Sequence, residues 1–195
     1  MSKNFVPQDS YFQKAKDLGY RARSAFKLEE IQKKFHLLRP GLDVLDLGAA
    51  PGSWLQYASK IVGQEATLVG LDLQLIGPIA KNIKTFVADI FSDEAVKLIQ
   101  KIHPEPFPLI LSDLAPATSG QKELDHFRSL DLSRQVVSLA EKFLAPRGTS
   151  VLKVFQGSDF DAFIKELKGQ FSRVEIYKPK ASRARSFEVY VIARR

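Results

Sequence analysis

The sequence predicts a doubly wound α/β fold: a mostly parallel sheet with helices on both faces, ending in an antiparallel strand hairpin. Three observations carry that expectation. Short apolar runs alternate with amphipathic helical patterns through five successive units, the mark of βαβ crossovers and a parallel sheet. The first run, at 44–47, passes into Gly48-Ala49-Ala50-Pro51-Gly52 and then a helical pattern, the strand–turn–helix that opens nucleotide-binding sheets. Acids close four of the runs: Asp46, Asp72, Asp89 and Asp113. Ligands bind such sheets at the carboxyl ends of the strands, so four acids along one edge mark a site.

The elements follow in order. Residues 1–20 read as a basic, aromatic N-terminal arm of mixed polarity and partial helicity. Ala22, Ala25, Phe26, Leu28, Ile31 and Phe35 recur at three-to-four spacing among charges and predict a helix over 21–35. Arg39-Pro40-Gly41 stops it. In the glycine turn, Gly48 permits backbone angles that a side chain forbids, and Gly52 lets a ligand approach the main chain. Pro51 suits the first turn of the next helix, which runs to about Val62. Strands are expected at 66–72, 84–89, 107–113 and 150–155, with helices at 93–102, 127–143 and 159–168. Pro146 and Gly148 are expected to end the helix at 127–143. Two final strands, 171–177 and 187–193, are joined by a basic loop.

The turn reads D-x-G-x-x-P-G rather than G-x-G-x-x-G, which argues against a dinucleotide pyrophosphate on the helix N-terminus. Asp46 beside it suits the ammonium group of an amino-acid moiety, and S-adenosylmethionine carries one. Asp72, about 25 residues past the turn, is placed for a ribose diol. Asp89 is placed for an adenine amino group. Gly48, Gly52, Trp54 and Asp113 complete the expected cofactor contacts.

Composition narrows the partners. At 195 residues the chain is read as one domain over 1–195, with a core large enough for a full sheet. No apolar run approaches the roughly 18 residues of a membrane span, and the first residues lack the apolar core of a signal peptide. Cysteine is absent, which excludes disulfides and thiolate metal sites and fits a cytoplasmic location. His36, His103 and His126 lack ligand spacing, so no metal is expected. The net charge of +7 and isoelectric point near 9.5 point to an anionic partner. Lys14, Lys16, Arg21, Arg23 and Lys27 are interleaved with Tyr11, Phe12, Tyr20 and Phe26, and a second basic cluster spans 178–195. Cations for phosphates beside aromatic faces for unpaired bases suit RNA.

Two residues are out of place in apolar strands: Lys153 in V-L-K-V-F and Glu188 in S-F-E-V-Y-V-I. An unpartnered charge there is costly. With Y-R-A-R-S-A-F-K-L, D-L-G-A-A-P-G-S-W, S-D-L-A-P and L-K-V-F-Q-G, in that order along nearly the whole chain, the sequence resembles the FtsJ-like RNA ribose 2′-O-methyltransferases. The resemblance implies a Rossmann-like, S-adenosylmethionine-dependent methyltransferase sheet and a Lys-Asp-Lys-Glu tetrad at Lys27, Asp113, Lys153 and Glu188. It also implies a lysine, Lys153, acting as general base or as an orienting group. Within the family the chain is most similar to short members that methylate a uridine of large-subunit (23S) ribosomal RNA, which implies an rRNA partner within that subunit and a monomer. Those members usually carry P-G-G-W where this chain has Pro51-Gly52-Ser53-Trp54. P-G-S-W also occurs in relatives acting on tRNA, so a tRNA 2′-O-ribose methyltransferase stands as the alternative. A non-catalytic RNA-binding ribosome assembly factor is a second, and a nicotinamide dehydrogenase, disfavoured by the glycine pattern, a third.

Overall fold

A computed structural model describes residues 10–183 and 185–195. The first nine residues of the expected arm and residue 184 of the basic loop lie outside the described residues. The elements are α1 (Ser10–Asp17), α2 (Ala25–Phe35), β1 (Val44–Leu47), α3 (Ser53–Val62), β2 (Leu68–Asp72), β3 (Ile83–Val87) and α4 (Asp93–Ile102). They continue as β4 (Phe107–Ser112), α5 (Lys122–Phe143), β5 (Leu144–Phe155), α6 (Phe160–Gln170), β6 (Arg173–Tyr177) and β7 (Glu188–Arg194). The seven strands form one sheet in the order β3-β2-β1-β4-β5-β7-β6. Strands β1 to β5 pair in parallel, and β7 inserts antiparallel between β5 and β6.

Strand alternation decides what the site receives. Helices α2 and α3 pack on one face through Leu28, Ile31, Leu55 and Ala58, and α4, α5 and α6 on the other through Ile99, Leu139 and Phe163. Each large side chain buried there contributes about 1.5–3 kcal/mol. Val151 belongs to the α2–α3 layer and its neighbours Leu152 and Val154 to the other; Tyr190 and Ile192 alternate likewise with Val189 and Val191. Period two therefore sends Lys153, Glu188 and Tyr190 to the α2–α3 face, and Asp46 with them, two residues after Val44.

Several expectations shift. The crossover from β2 to β3 contains no helix. Gly77-Pro78 interrupts it, and Arg21 holds it to the glycine turn by donating to Pro51 O (3.1 Å), Gly77 O (2.9 Å) and Pro78 O (2.6 Å). That tether also explains why α2 starts at Ala25 rather than Arg21. Pro51 does not open α3: its peptide bond is cis, and Gly52, at φ 102°, caps a helix beginning at Ser53. Helix α5 starts five residues before the expected Phe127. The Asp125 carboxylate accepts from Ser119 N (2.7 Å) and Gly120 N (3.2 Å) and so fixes the preceding turn. Strand β5 follows α5 directly, so Pro146 and Gly148 fall within its irregular first half, where the pairing with β4 shifts register. The arm's aromatics are largely not stacking surfaces: Tyr11 and Tyr20 pack on buried Phe26, and among the three Lys14 and Lys60 make cation–π contacts. Phe12, 62% exposed, keeps a free face.

Candidate active site

Register brings the four charges together. Lys153 pairs with Tyr190 across the β5–β7 ladder, and Phe155 with Glu188. Asp113 follows β4, whose Ser112 lies opposite Leu152. Lys27 arrives from the first turn and a half of α2. The result is a compact network. Lys27 Nζ stands 2.6 Å from Glu188 Oε1 and 3.8 Å from Asp113 Oδ1, and Lys153 Nζ is 3.0 Å from Asp113 Oδ1. Lys153 Nζ also donates to the Asp113 carbonyl at 2.6 Å. Lys27, Lys153 and Glu188 are buried, and Asp113 is part-buried with its side chain 18% exposed; two cations face two anions, which is how charges persist out of water.

Tyr190 is a fifth member that the sequence reading did not single out. Its hydroxyl donates to Asp113 Oδ1 at 2.5 Å, and Lys27 Nζ lies 5.6 Å from its ring centre. Burial, then the charges of Asp113 and Glu188, push its hydroxyl well above the usual tyrosine range, so it remains a donor. The period-two relation of Tyr190 to Glu188 was the signal available. Asp113 moves the other way. Burial acts to raise it, but the Lys153 and Lys27 charges and the hydrogen bonds from Tyr190 and Lys153 together hold it below the ordinary carboxylate range.

Two clefts flank this network. The first, about 450 Å³, is lined by Gly48, Asp72, Asp89, Phe91, Asp113 and neighbouring apolar side chains. Asp72 accepts from Ala50 N (Oδ2, 2.9 Å) and Gln74 N (Oδ1, 2.9 Å), and Asp89 Oδ1 accepts from Phe91 N (3.0 Å). A carboxylate has about four acceptor sites, so each retains capacity toward the cleft. Gly48 takes φ 78°, and a Cβ there would lie 2.3 Å from Leu114. Asp46 is buried and neither of its oxygens has a hydrogen-bond partner among the described residues. Burial, then Asp113, then Asp72 push it well above the usual range. It faces a recess of about 10 Å³, shared with Ala49, Ser53 and Asp113, which is room for one small polar group.

Gly52 and Trp54 do not line the acid-rimmed cleft, though Trp54 borders the recess beside Asp46. A Cβ on Gly52 would meet Ile79 at 2.5 Å. The Trp54 indole Nε1 donates to Ser24 O (2.8 Å) and its ring packs against Tyr190 at 5.7 Å, so it supports the network from below.

The second cleft, about 500 Å³, opens onto Lys27 and Glu188 and is lined by Arg23, Arg183, Arg185, Phe155 and Phe187. Burial lowers the Arg23 guanidinium from its usual value, and the charge of Arg183 lowers it further, as expected of two cations sharing one space. Glu30 holds the basic loop on α2 by accepting from Lys180 N (2.7 Å), Ala181 N (2.8 Å) and Tyr177 OH (3.3 Å). The histidines lie elsewhere. His126 is buried, donating through Nδ1 to Phe155 O (2.8 Å) and accepting at Nε2 from Asp159 N (3.1 Å). His103 Nε2 contacts Asp43 at 3.0 Å. Among the described residues no group of three or more His, Cys, Asp or Glu is placed to hold a metal ion, and no helix is long and apolar enough to cross a membrane.

Comparison with known proteins finds relatives over most or all of the chain. The chain is 46% identical over 195 residues to ribosomal RNA large subunit methyltransferase E of Anaeromyxobacter sp. (strain Fw109-5), covering all of this chain and 71% of that protein. It is 41% identical over 196 residues to the protein of the same name from Myxococcus xanthus, covering all of this chain and 92% of that one. The solved structure of a ribosomal RNA methyltransferase from Plasmodium falciparum superposes with a TM-score of 0.79 at 29% identity, over 90% of this chain and 97% of that chain. The family model for FtsJ-like methyltransferases matches residues 20–195. With its seven-stranded sheet, the chain belongs to the FtsJ-like methyltransferase family.

Proposed function

We propose that this protein transfers the methyl group of S-adenosylmethionine to the ribose 2′-OH of a uridine in large-subunit (23S) ribosomal RNA. One observation carries the reading: a Lys27–Asp113–Lys153–Glu188 network lies between an acid-rimmed cleft and a basic one. Similarity to relatives named for large-subunit rRNA supports the choice of RNA.

The residues suit both substrates. Asp72 and Asp89 fit ribose hydroxyls and an adenine amino group in a cleft of ordinary ligand size, and Asp46, with no hydrogen-bond partner among the described residues, fits an ammonium group from the small recess beside it. S-adenosylmethionine, when bound, supplies an electrophilic methyl on a sulfonium. Asp113 places negative charge beside the two clefts' junction, where a sulfonium is favoured electrostatically. On the other side, Arg23, Arg183 and Arg185 suit phosphates, and the edge-to-face pair Phe155–Phe187 (4.8 Å) offers an aromatic wall to a base.

The two acceptors on Lys153 orient it in either protonation state. As an ammonium it has three hydrogens; the Asp113 carboxylate and carbonyl take two and leave one for the 2′-oxygen. As an amine it has two hydrogens, both taken, which aims its lone pair at the hydroxyl proton. The 2′-oxygen then forms its bond to the methyl carbon as the carbon–sulfur bond breaks, and the proton leaves to Lys153 or to water. Positioning the two reactants in line supplies much of the acceleration.

The same reading takes residues 1–195 as a single catalytic domain, acting as a monomer in the cytoplasm, where ribosomal RNA is found. The test supplies labelled S-adenosylmethionine with large subunits, free 23S rRNA or tRNA, and maps the 2′-O-methyl positions. Label is expected at a uridine of 23S rRNA; label in tRNA alone would overturn the choice of RNA and leave the chemistry standing.

A further inference from the structure

A third cleft lies at the opposite end of the sheet from the network. It measures about 320 Å³ and is lined by His36, Arg39, Arg147, Thr149 and Arg194 above an apolar floor that includes Leu42. The same two strands connect the ends: β5 runs from Thr149 here to Phe155 at the network, and β7 from Glu188 there to Arg194 here. Six residue steps at about 3.3 Å separate the ends by roughly 20 Å. Nothing in the methyl-transfer chemistry uses these arginines.

Their charges are unmet among the described residues. Among the described residues, none of Arg39, Arg147 and Arg194 enters an ion pair. Arg194 Nε is buried and has no hydrogen-bond partner there, a state that calls for an acceptor from outside. The ladder explains why. Arg194 pairs across β6 with Arg173, a like charge. Arg173 Nη2 donates to Glu175 Oε1 at 3.0 Å and its Nε stands 2.9 Å from Oε2, so the carboxylate two residues along β6 is already ion-paired, although its buried Oε2 makes no hydrogen bond among the described residues. Arg147 is held at φ 62° and His36 at φ 51°, a left-handed conformation uncommon outside glycine. Three guanidiniums around one recess, with no carboxylate in its lining, match a phosphate, which guanidinium groups grip through paired N–H donors.

We propose that this cleft binds a backbone phosphate of the RNA substrate, giving the enzyme a second anchor roughly 20 Å from the nucleotide to be methylated. The proposal rests on RNA being the substrate. A contact so far from the ribose belongs to another part of a folded RNA, which lets RNA shape, rather than a sequence-reading module, select the target.

The experiment uses the full chain and the double variant Arg39→Gln/Arg147→Gln, both exposed positions outside the strand pairing with β7. Methylation of 23S rRNA is followed across salt concentrations, alongside calorimetric titration with inorganic phosphate and with S-adenosylmethionine. The KM for rRNA should rise about five- to tenfold, with kcat and the adenosylmethionine Kd unchanged. The dependence of log affinity on log salt should become shallower by about 0.7–0.9, the equivalent of one phosphate contact. Arg194→Gln should act in the same direction. Lys165→Gln/Lys168→Gln, on the exposed side of α6, removes the same charge from the other face and should leave the slope unmoved. An equal loss of slope in that control, or an unchanged KM and slope in the arginine variant, overturns the proposal. Phosphate binding lost with rRNA kinetics intact assigns the cleft to free phosphate and overturns its RNA role. Failure of the wild-type protein to methylate any RNA overturns the substrate reading itself and this proposal with it.

Discussion

Asp46, fully buried, and Asp113, part-buried, both border the small recess beside the glycine turn and differ in what faces them. Asp113 has Lys153, Lys27 and Tyr190, whereas Asp46 has no hydrogen-bond partner among the described residues. Its raised proton affinity is therefore a destabilising term. Above its folded pKa the buried charge is fully present. As pH falls through that value toward the unfolded pKa of about 3.9, the folded state takes up the proton first and the penalty is relieved. Asp113 is the opposite case, because its lowered pKa gives stability that is present above about pH 3.9 and lost as pH falls through its folded value. Asp46→Asn should then raise the thermal midpoint at pH 7 by roughly 2–4 °C per kcal/mol relieved, with a gap to wild type that narrows toward pH 4. The same variant should weaken S-adenosylmethionine binding about tenfold, the loss of one hydrogen bond to a charged group; an unchanged Kd removes Asp46 from the ammonium site. Asp72→Ala should also cost at least about tenfold in Kd by calorimetry, on the same arithmetic, and an unchanged value would show that β2 does not end at the ribose.

Elements set by local pattern were legible from the chain: the glycine turn, the strand cores, and the acids that close β1, β2 and β4. Those set by distant tethers were not. The start of α2 and the helix-free β2–β3 crossover both depend on Arg21 reaching Gly77 and Pro78, more than fifty residues away. Tyr11, Tyr20 and Phe26 share the composition of a stacking surface, yet they pack on one another, because their neighbours in space include Ala181 of the C-terminal loop. The tetrad itself came through motif resemblance; strand alternation explains its meeting, and the same alternation would have added Tyr190. Glu30 takes three hydrogen bonds from the end of β6 and the loop after it, from Lys180 N, Ala181 N and Tyr177 OH, while Arg23 Nη2 donates to Ala181 O at 2.8 Å. Glu30→Ala should loosen the loop and raise the KM for rRNA several-fold while leaving the adenosylmethionine Kd unchanged. A rise in both would mean that the substitution disturbs α2 and Lys27 instead.

Across the whole molecule, one sheet separates three tasks. Acids line the cleft at the carboxyl ends of β2, β3 and β4, cations line the cleft under the C-terminal loop, and a set of four charges occupies the boundary. The layout explains how a chain carrying +7 overall keeps an acid-rimmed site for a sulfonium beside a basic groove for RNA. Helix α2, strands β5 and β7 and the residue after β4 supply the four charges and Tyr190. The account rests most heavily on Lys153 as the group that addresses the 2′-hydroxyl. Its most direct test compares Lys153→Ala with wild type, measuring S-adenosylmethionine affinity by calorimetry and mapped 2′-O-methyl formation in 23S rRNA under single turnover. The account predicts an adenosylmethionine Kd within a few-fold of wild type and methyl transfer slowed by at least about 10²-fold, the lower range for a positioned acid–base group. Methyl transfer at the wild-type rate would contradict it.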